Sequence, residues 1–385
     1  MIKKMIATAI ICILFLGNIM VTAEEHSDID FVGTNDMMEN LETVSIEHVN
    51  QTVMTPSLIA DIGSISVKER IQMGNKSVPL YCTFDSQEEA LEKISNNSVI
   101  QLIKSNYGFE DISDAIWKQY YSAMYELFDS QDCPSWYTER NADFRRLRQF
   151  FDIYENKEKN DKIVSLINSV TRASEIVNNA EILELLPYDS YLTLSQQSGV
   201  LNNEDATTSS AAPTFSIDDG ISYATSYATS PNKSDYDYFS RGDCTNFASQ
   251  ILENGGVAQE VYDNEALGWW HIKSTELFVT THKHSISWIR ADTFAKYMGV
   301  GYSTTSHIAF TSNIKKGDFI GADFDSDGDW EHMGFVTDKK SGIVNGYYDY
   351  KVAQHTANYH EWASSSKNGW DMIESDGGIY ARVRR

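Results

Sequence analysis

Gly242-Asp243-Cys244-Thr245-Asn246-Phe247-Ala248-Ser249-Gln250-Ile251-Leu252-Glu253-Asn254-Gly255-Gly256 is the stretch on which the reading of this 385-residue chain turns. Phe247, Ala248 and Ile251 form an apolar stripe at helical spacing. Asp243 is placed to cap the start of that helix, and Gly255-Gly256 to end it. Cys244 stands seven residues before Ile251, so it lies at the helix N-terminus on the buried side. There the backbone N–H groups and the positive end of the helix dipole favour a thiolate. A thiol in this place is either a nucleophile or a small buried core residue.

A second segment bears on that choice. Lys315-Lys316-Gly317-Asp318 reads as a turn, Phe319 to Phe324 as a short strand, and Asp325 to Trp330 as a polar hairpin-like loop. Glu331-His332-Met333-Gly334-Phe335-Val336-Thr337 is a second strand that opens with histidine. A histidine at the start of a sheet strand can face a cysteine at a helix tip and act as its base. The alternative for a lone histidine is a satisfied structural residue. Tyr350 to Thr356 reads as a third strand. His355 on it is the candidate to orient the His332 ring, as the third member of a Cys-His-polar triad, or else a plain surface residue. Asn345 and Asn358 are weaker candidates for the same place. The segments predict an α+β domain with a nucleophile-bearing helix packed on an antiparallel sheet.

Further pieces stand in order around these. Ile221-Ser222-Tyr223-Ala224-Thr225-Ser226-Tyr227-Ala228 reads as an opening helix, Ser287-Trp288 lies between the two key segments, and Tyr380-Ala381-Arg382-Val383-Arg384 reads as a closing strand. With Gly242 to Gln250 and the Gly317-Asp318 … His332-Met333-Gly334 strand pair, they make residues from about 218 to 385 resemble the "putative amidase domain" family of secreted bacterial proteins. That family lies within the papain-like, NlpC-type and CHAP-type cysteine hydrolases. The resemblance implies a papain-like fold and cleavage of amide bonds without a cofactor. It implies Cys244 as nucleophile, His332 as base and then acid for the leaving amine, His355 as orienting residue, and the Cys244 N–H as one oxyanion donor. No glutamine stands at the short upstream spacing that papain-type enzymes use for a second donor. The resemblance names a reaction class and no particular substrate.

Six of the eight tryptophans and seven of the nine histidines follow residue 214, which suits a cleft for a polar substrate. Trp269, Trp270 and Trp288 are the candidates to floor it, with core packing as the alternative. Asp323, Asp325, Asp327, Gly328 and Asp329 match the first half of a calcium loop. The glutamate that closes an EF-hand would fall at 334, which is Gly334. Five carboxylates, counting Glu331, can still hold a structural Ca²⁺; an acidic β-turn is the preferred reading. His282-Lys283-His284 has no cysteine or carboxylate at ligand spacing, which argues against zinc.

Residues 24–200 read as a mostly helical region of unassigned role. Val78, Leu80, Cys82 and Phe84 alternate as a strand does, and Ser86-Gln87-Glu88-Glu89 is a capping-box start. Apolar residues keep helical spacing over 112–128, over 147–154 and over 163–177. Residues 201–214 are polar and small, without periodicity, and read as a linker. Limited proteolysis is expected to cut there and to release a stable fragment carrying Cys244 and His332.

Residues 1–23 have the layout of a secretory signal peptide: Lys3-Lys4, an apolar run from Met5 to Leu16, and Val21-Thr22-Ala23 before Glu24. Cleavage removes Cys12 and leaves Cys82, Cys133 and Cys244, too few for a disulfide framework, though Cys82 and Cys133 can pair. A net charge of −24 excludes a general nucleic-acid binder. The expectation is a secreted or cell-envelope enzyme with no membrane insertion after signal removal, acting on peptide or peptidoglycan amides. A non-catalytic wall- or peptide-binding module and an acyl transferase on the same triad are the rivals.

Overall fold

The computed structural model describes residues 43–197, 214–277 and 279–385. The expected signal peptide and nearly all of the expected linker lie outside these residues. The first half opens with four strands, β1 (Val44–Thr52), β2 (Ile65–Met73), β3 (Lys76–Pro79) and β4 (Cys82–Phe84). β2 pairs antiparallel with β1 on one edge and with β3 and then β4 on the other. The alternation of Val78 to Phe84 is therefore split between two short strands. Ser86 caps α1 (Gln87–Ile94), its side chain accepting from the Glu89 N–H at 3.2 Å.

Next come α2 (Ser98–Tyr107), α3 (Trp117–Phe128) and the 26-residue α4 (Ala142–Ile167). α5 (Ala173–Val177), α6 (Ala180–Leu185) and α7 (Tyr188–Gln197) complete this half. α4 merges two apolar stripes that read separately in the sequence. It also carries a buried polar stripe, Arg145, Gln149, Asp152, Asn156 and Asn160, at helical spacing. Cys82 and Cys133 are free thiols and do not pair.

The second half holds α8 (Ile217–Tyr227), α9 (Cys244–Asn254), a hairpin of β5 (His271–Glu276) and β6 (Val279–His284), then α10 (Ile286–Ile289) and α11 (Ala291–Met298). β7 (Val300–Thr304), α12 (His307–Asn313), β8 (Phe319–Asp323), β9 (His332–Val344), β10 (Tyr347–Gln354) and β11 (Tyr359–Trp362) follow, with α13 (Ile373–Asp376) and β12 (Ile379–Val383) last. Six strands form an antiparallel sheet in the order β11-β10-β9-β8-β12-β7. The closing strand is thus inserted beside β8 in the middle of the sheet.

Alternation sends Phe319, Met333, Phe335, Ala353 and Ala381 to the face covered by α8 and α9. Ile320, Ala322, Val336, Tyr350, Val352 and Tyr380 go to the other face. There they share one continuous core with Phe144, Leu147, Phe150 and Phe151 of α4. Polar contacts reinforce this junction: Gln149 donates to the Phe324 carbonyl at 2.7 Å, and Arg145 pairs with Asp376, both side chains 6% exposed. Cleavage between residues 200 and 215 is therefore expected to give a nicked pair that co-elutes in native buffer and separates only in denaturant. A fragment starting near 214 that stays soluble and folded alone would contradict the shared core.

Candidate active site

The polar residues of the Cys244 segment act first as scaffold. Along α9 the Asn246 amide donates to the Asp237 carbonyl and to Asp243 Oδ1, both at 2.8 Å. Trp288 Nε1 donates to Asn246 Oδ1 at 2.8 Å, and Trp269 Nε1 to Ser249 Oγ at 2.9 Å. Trp269 and Trp288 stack at 4.9 Å and are buried, as is Trp270, whose Nε1 donates to the Leu267 carbonyl. None of the three lines the cavity that contains Cys244. Trp269 and Trp288, expected to floor a cleft, instead back α9, since a buried indole N–H needs an acceptor and α9 offers two.

The helix starts at Cys244, but Asp243 does not cap it with its side chain. Its carboxylate accepts from the Phe239 N–H and faces His355 Nδ1. The cap comes from across the fold. Thr356 Oγ1 accepts from the N–H of Asp243 at 2.8 Å and of Cys244 at 3.1 Å. The N–H expected as oxyanion donor is thus already engaged. Thr356 and Ala357 both adopt left-handed backbone, φ 60° and 66°, in the tight turn between β10 and β11. A β-branched residue there is strained, and the bonds it makes to the helix tip hold it. Thr356→Val keeps the shape and removes the acceptor, so it should cost about 1–3 kcal/mol in urea unfolding. Thr356→Ser should be near neutral; equal losses for the two would mean the hydroxyl is not the cap.

Cys244 is 5% exposed. Its sulfur lies 3.6 Å from Thr245 Oγ1 and 3.9 Å from the Glu331 carbonyl oxygen, and it is bonded by the Met333 N–H. The thiol therefore touches the backbone on both sides of His332, on the β10-side edge of β9 beyond its last pair with β10. Burial raises the thiol above its ordinary value, and the Met333 N–H pulls the other way.

His332 is buried, with its ring near Phe324 and Trp370. Burial lowers it to about 4, partly countered by a side-chain hydrogen bond with Gln354. Its Nε2 has no hydrogen-bond partner among the described residues. No hydrogen bond joins Cys244 to His332 among the described residues. Burial thus favours the neutral form of both the thiol and the imidazole.

Gln354, not His355, shares the face of His332. Its carboxamide is held in one orientation: Oε1 accepts from Trp370 Nε1 at 2.7 Å, and Nε2 faces Glu139 Oε1 at 3.3 Å and the Thr356 carbonyl at 3.3 Å. Gly334 makes room for this, because a Cβ there would meet Trp370 at 2.9 Å and Val352 at 3.0 Å. His355 lies on the opposite face. Its Nε2 bonds the Tyr227 carbonyl at 2.9 Å, its Nδ1 faces Asp243, and it stacks on Phe247 at 3.8 Å. Its observed place is in the support of α9. Asn345 sits at the far hairpin end and Asn358 bonds Tyr238, so neither stands at the ring.

A cavity of about 680 Å³ opens onto Cys244. Thr245, Trp330 and Glu331 line it on the second half of the chain; Trp117, Tyr121, Asp152 and Lys159 line it on the first. Burial, with Glu155 close by, raises Asp152 to about 8. The region without an assigned role in the sequence therefore builds one wall of the site. Only the polar stripe on α4 hinted at this, and nothing local distinguishes such a stripe from a solvent face.

Residues 216–383, which carry Cys244, His332 and Gln354, match the family model described as "Putative amidase domain". The match points to hydrolysis of amide bonds as the activity of this part of the chain. Two proteins of Bacillus subtilis (strain 168) are similar to the chain. Uncharacterized protein YhbB is 30% identical over 113 residues, 28% of this chain and 34% of its own length. Uncharacterized protein YjcM is 24% identical over 233 residues, 58% of this chain and 51% of its own. The chain thus spans about a third to a half of the length of these relatives. The stretch shared with YjcM is longer than everything after residue 213, so it reaches into the first half. No solved structure matches.

Proposed function

We propose that the chain is a cysteine-dependent amidase of papain-like type, acting outside the cell membrane on peptide or peptidoglycan amides. The observation that carries this reading is the thiol of Cys244 at a helix tip, open to a large cavity and wedged against the backbone on both sides of His332. The His332 ring has an orienting partner in Gln354 and an unpartnered Nε2. In the reaction Cys244 gives its proton to His332 as the sulfur attacks the carbonyl carbon. His332 then passes that proton to the leaving amine. Water, deprotonated by the same ring, resolves the thioester and restores the thiol. No step calls for a metal at the reacting atoms.

The deep burial of the thiol favours a second reading, in which the cavity binds a peptide without cleaving it. Acid quenching during incubation with peptidoglycan-derived peptides, followed by intact mass measurement, separates the two. An amidase carries an acyl group on Cys244 and releases amine. Saturable binding with no adduct and no amine would leave only the binding module. An acyl transferase shows the same adduct and consumes it faster when an amine acceptor is added. Export belongs to the same proposal: the secreted chain should begin at Glu24, and recovery of material still starting near Met1 would oppose it.

A further inference from the structure

The loop between β8 and β9 folds its carboxylates toward one point. Backbone N–H groups set them in place: Gly328 donates to Asp323 Oδ2 at 3.2 Å, Asp327 to Asp325 Oδ1 at 3.2 Å, Asp329 to Asp327 Oδ1 at 3.0 Å, and Phe324 to Glu331 Oε2 at 2.7 Å. One oxygen each from Asp323, Asp325, Asp327 and Glu331 lies within 4.8 Å of the others. From α4, Asn156 Nδ2 donates to Asp327 Oδ2 at 3.0 Å. The ammonium of Lys159 is engaged elsewhere, with Asp329 at 3.1 Å and Glu155 at 3.0 Å.

Asp325 is the side chain that points to a ligand. It is 6% exposed, and its Oδ2 has no hydrogen-bond partner among the described residues. A buried carboxylate oxygen without a partner is costly, and a cation facing it is one way to offset that cost. Four carboxylates gathered this closely repel one another. Hydrogen bonds from Asn156 and the backbone relieve some of that repulsion but bring no positive charge.

We infer that Asp323, Asp325, Asp327 and Glu331 bind one Ca²⁺ ion. The donors are all oxygen and mostly carboxylate, which selects a hard cation and gives zinc neither nitrogen nor sulfur. Aspartates at positions one, three and five followed by glycine open a calcium-binding loop. Glu331 supplies the last carboxylate three residues earlier than an EF-hand would, so the loop is a shortened variant of that scheme. Its C-terminal ligand is the residue before His332, and the carbonyl of that same residue lies 3.9 Å from the Cys244 sulfur. A bound ion thus pins the start of β9 where the two halves of the chain meet. The inference stands whether or not the chain cleaves amides.

Calorimetric titration of the chelator-treated full chain with CaCl2, alongside thermal melts, tests it. One Ca²⁺ should bind per chain with Kd between about 10⁻⁶ and 10⁻³ M, Tm should rise by several degrees, and Mg²⁺ should bind at least about tenfold more weakly. Asp325→Asn should melt at or above wild type in chelator, because repulsion is relieved, and should lose the response to Ca²⁺. Asp263→Asn, at an exposed acid outside the loop, should keep that response. Absence of stoichiometric heat, equal affinity for Mg²⁺, or a Ca²⁺ response surviving in Asp325→Asn would overturn the site. Should Asp325→Asn fail to fold, the wild-type titrations against Ca²⁺ and Mg²⁺ decide alone.

Discussion

Cys244→Ala is expected to abolish amide hydrolysis while the far-ultraviolet spectrum and Tm stay close to wild type. The change removes the nucleophile but only one sulfur atom of packing, at a helix start whose cap comes from Thr356. His332→Ala should fall almost as far, since acid–base catalysis of this kind contributes about 10²–10⁴-fold. The double variant should be no worse than Cys244→Ala, because the two residues act as one unit. The third position gives the sharper comparison. Gln354→Ala should lower kcat by more than His355→Gln does, because Gln354 lies on the sheet face of His332 and His355 on the opposite one. His355→Gln should show instead as a lower Tm, through loss of its bonds to Asp243 and Tyr227. The opposite ordering in kcat would return the orienting role to His355. A substrate cleaved by Cys244→Ala at the wild-type rate would place the chemistry elsewhere in the molecule.

The largest effect on stability is expected at the junction of the two halves. Arg145 on α4 and Asp376 on α13 form an ion pair with both side chains 6% exposed. Arg145→Ala leaves the Asp376 carboxylate buried without a counter-charge, which costs about 3–5 kcal/mol. Urea unfolding should show that loss as a lower midpoint with an unchanged slope. Replacing both residues together, Arg145→Met with Asp376→Leu, should recover most of it, since apolar pairs of similar volume often substitute for a buried ion pair. A loss below about 1 kcal/mol for Arg145→Ala, the range of exposed pairs, would mean that water reaches this junction.

Much of the second half was legible in its sequence, because local chemistry dictated it. The helix at Cys244 with its glycine end and the strands on either side of the acidic loop follow from periodicity and end signals that no tertiary contact opposes, as does the Ser86 N-cap in the first half. His355 lies off the His332 face for a countable reason. At the Asn345-Gly346 turn, Val344 faces Tyr347, and on that register His355 would share a face with His332. Further along, Val352 pairs with Val336 and Ala353 with Phe335. β9 has by then taken in three extra residues through its bulges, an odd number, so the parity flips and Gln354 takes the place. Bulges leave no dependable mark in a single sequence. Thr356 escaped for a different reason: it caps a helix that starts 112 residues earlier in the chain. The tryptophans were misplaced because an indole that floors a cleft and one that backs a helix have the same composition and differ only in what their N–H meets.

The cavity over Cys244 has walls from both halves of the chain: Cys244, Thr245, Trp330 and Glu331 on one side, side chains of α3 and α4 on the other. A family model that begins at residue 216 transmits the first and none of the second. Two proteins alike from that point onward, but carrying unrelated leading halves, would inherit one reaction and diverge in diet. Selection could redraw the menu at Trp117, Tyr121, Asp152 or Lys159 without disturbing a single atom of the nucleophile helix.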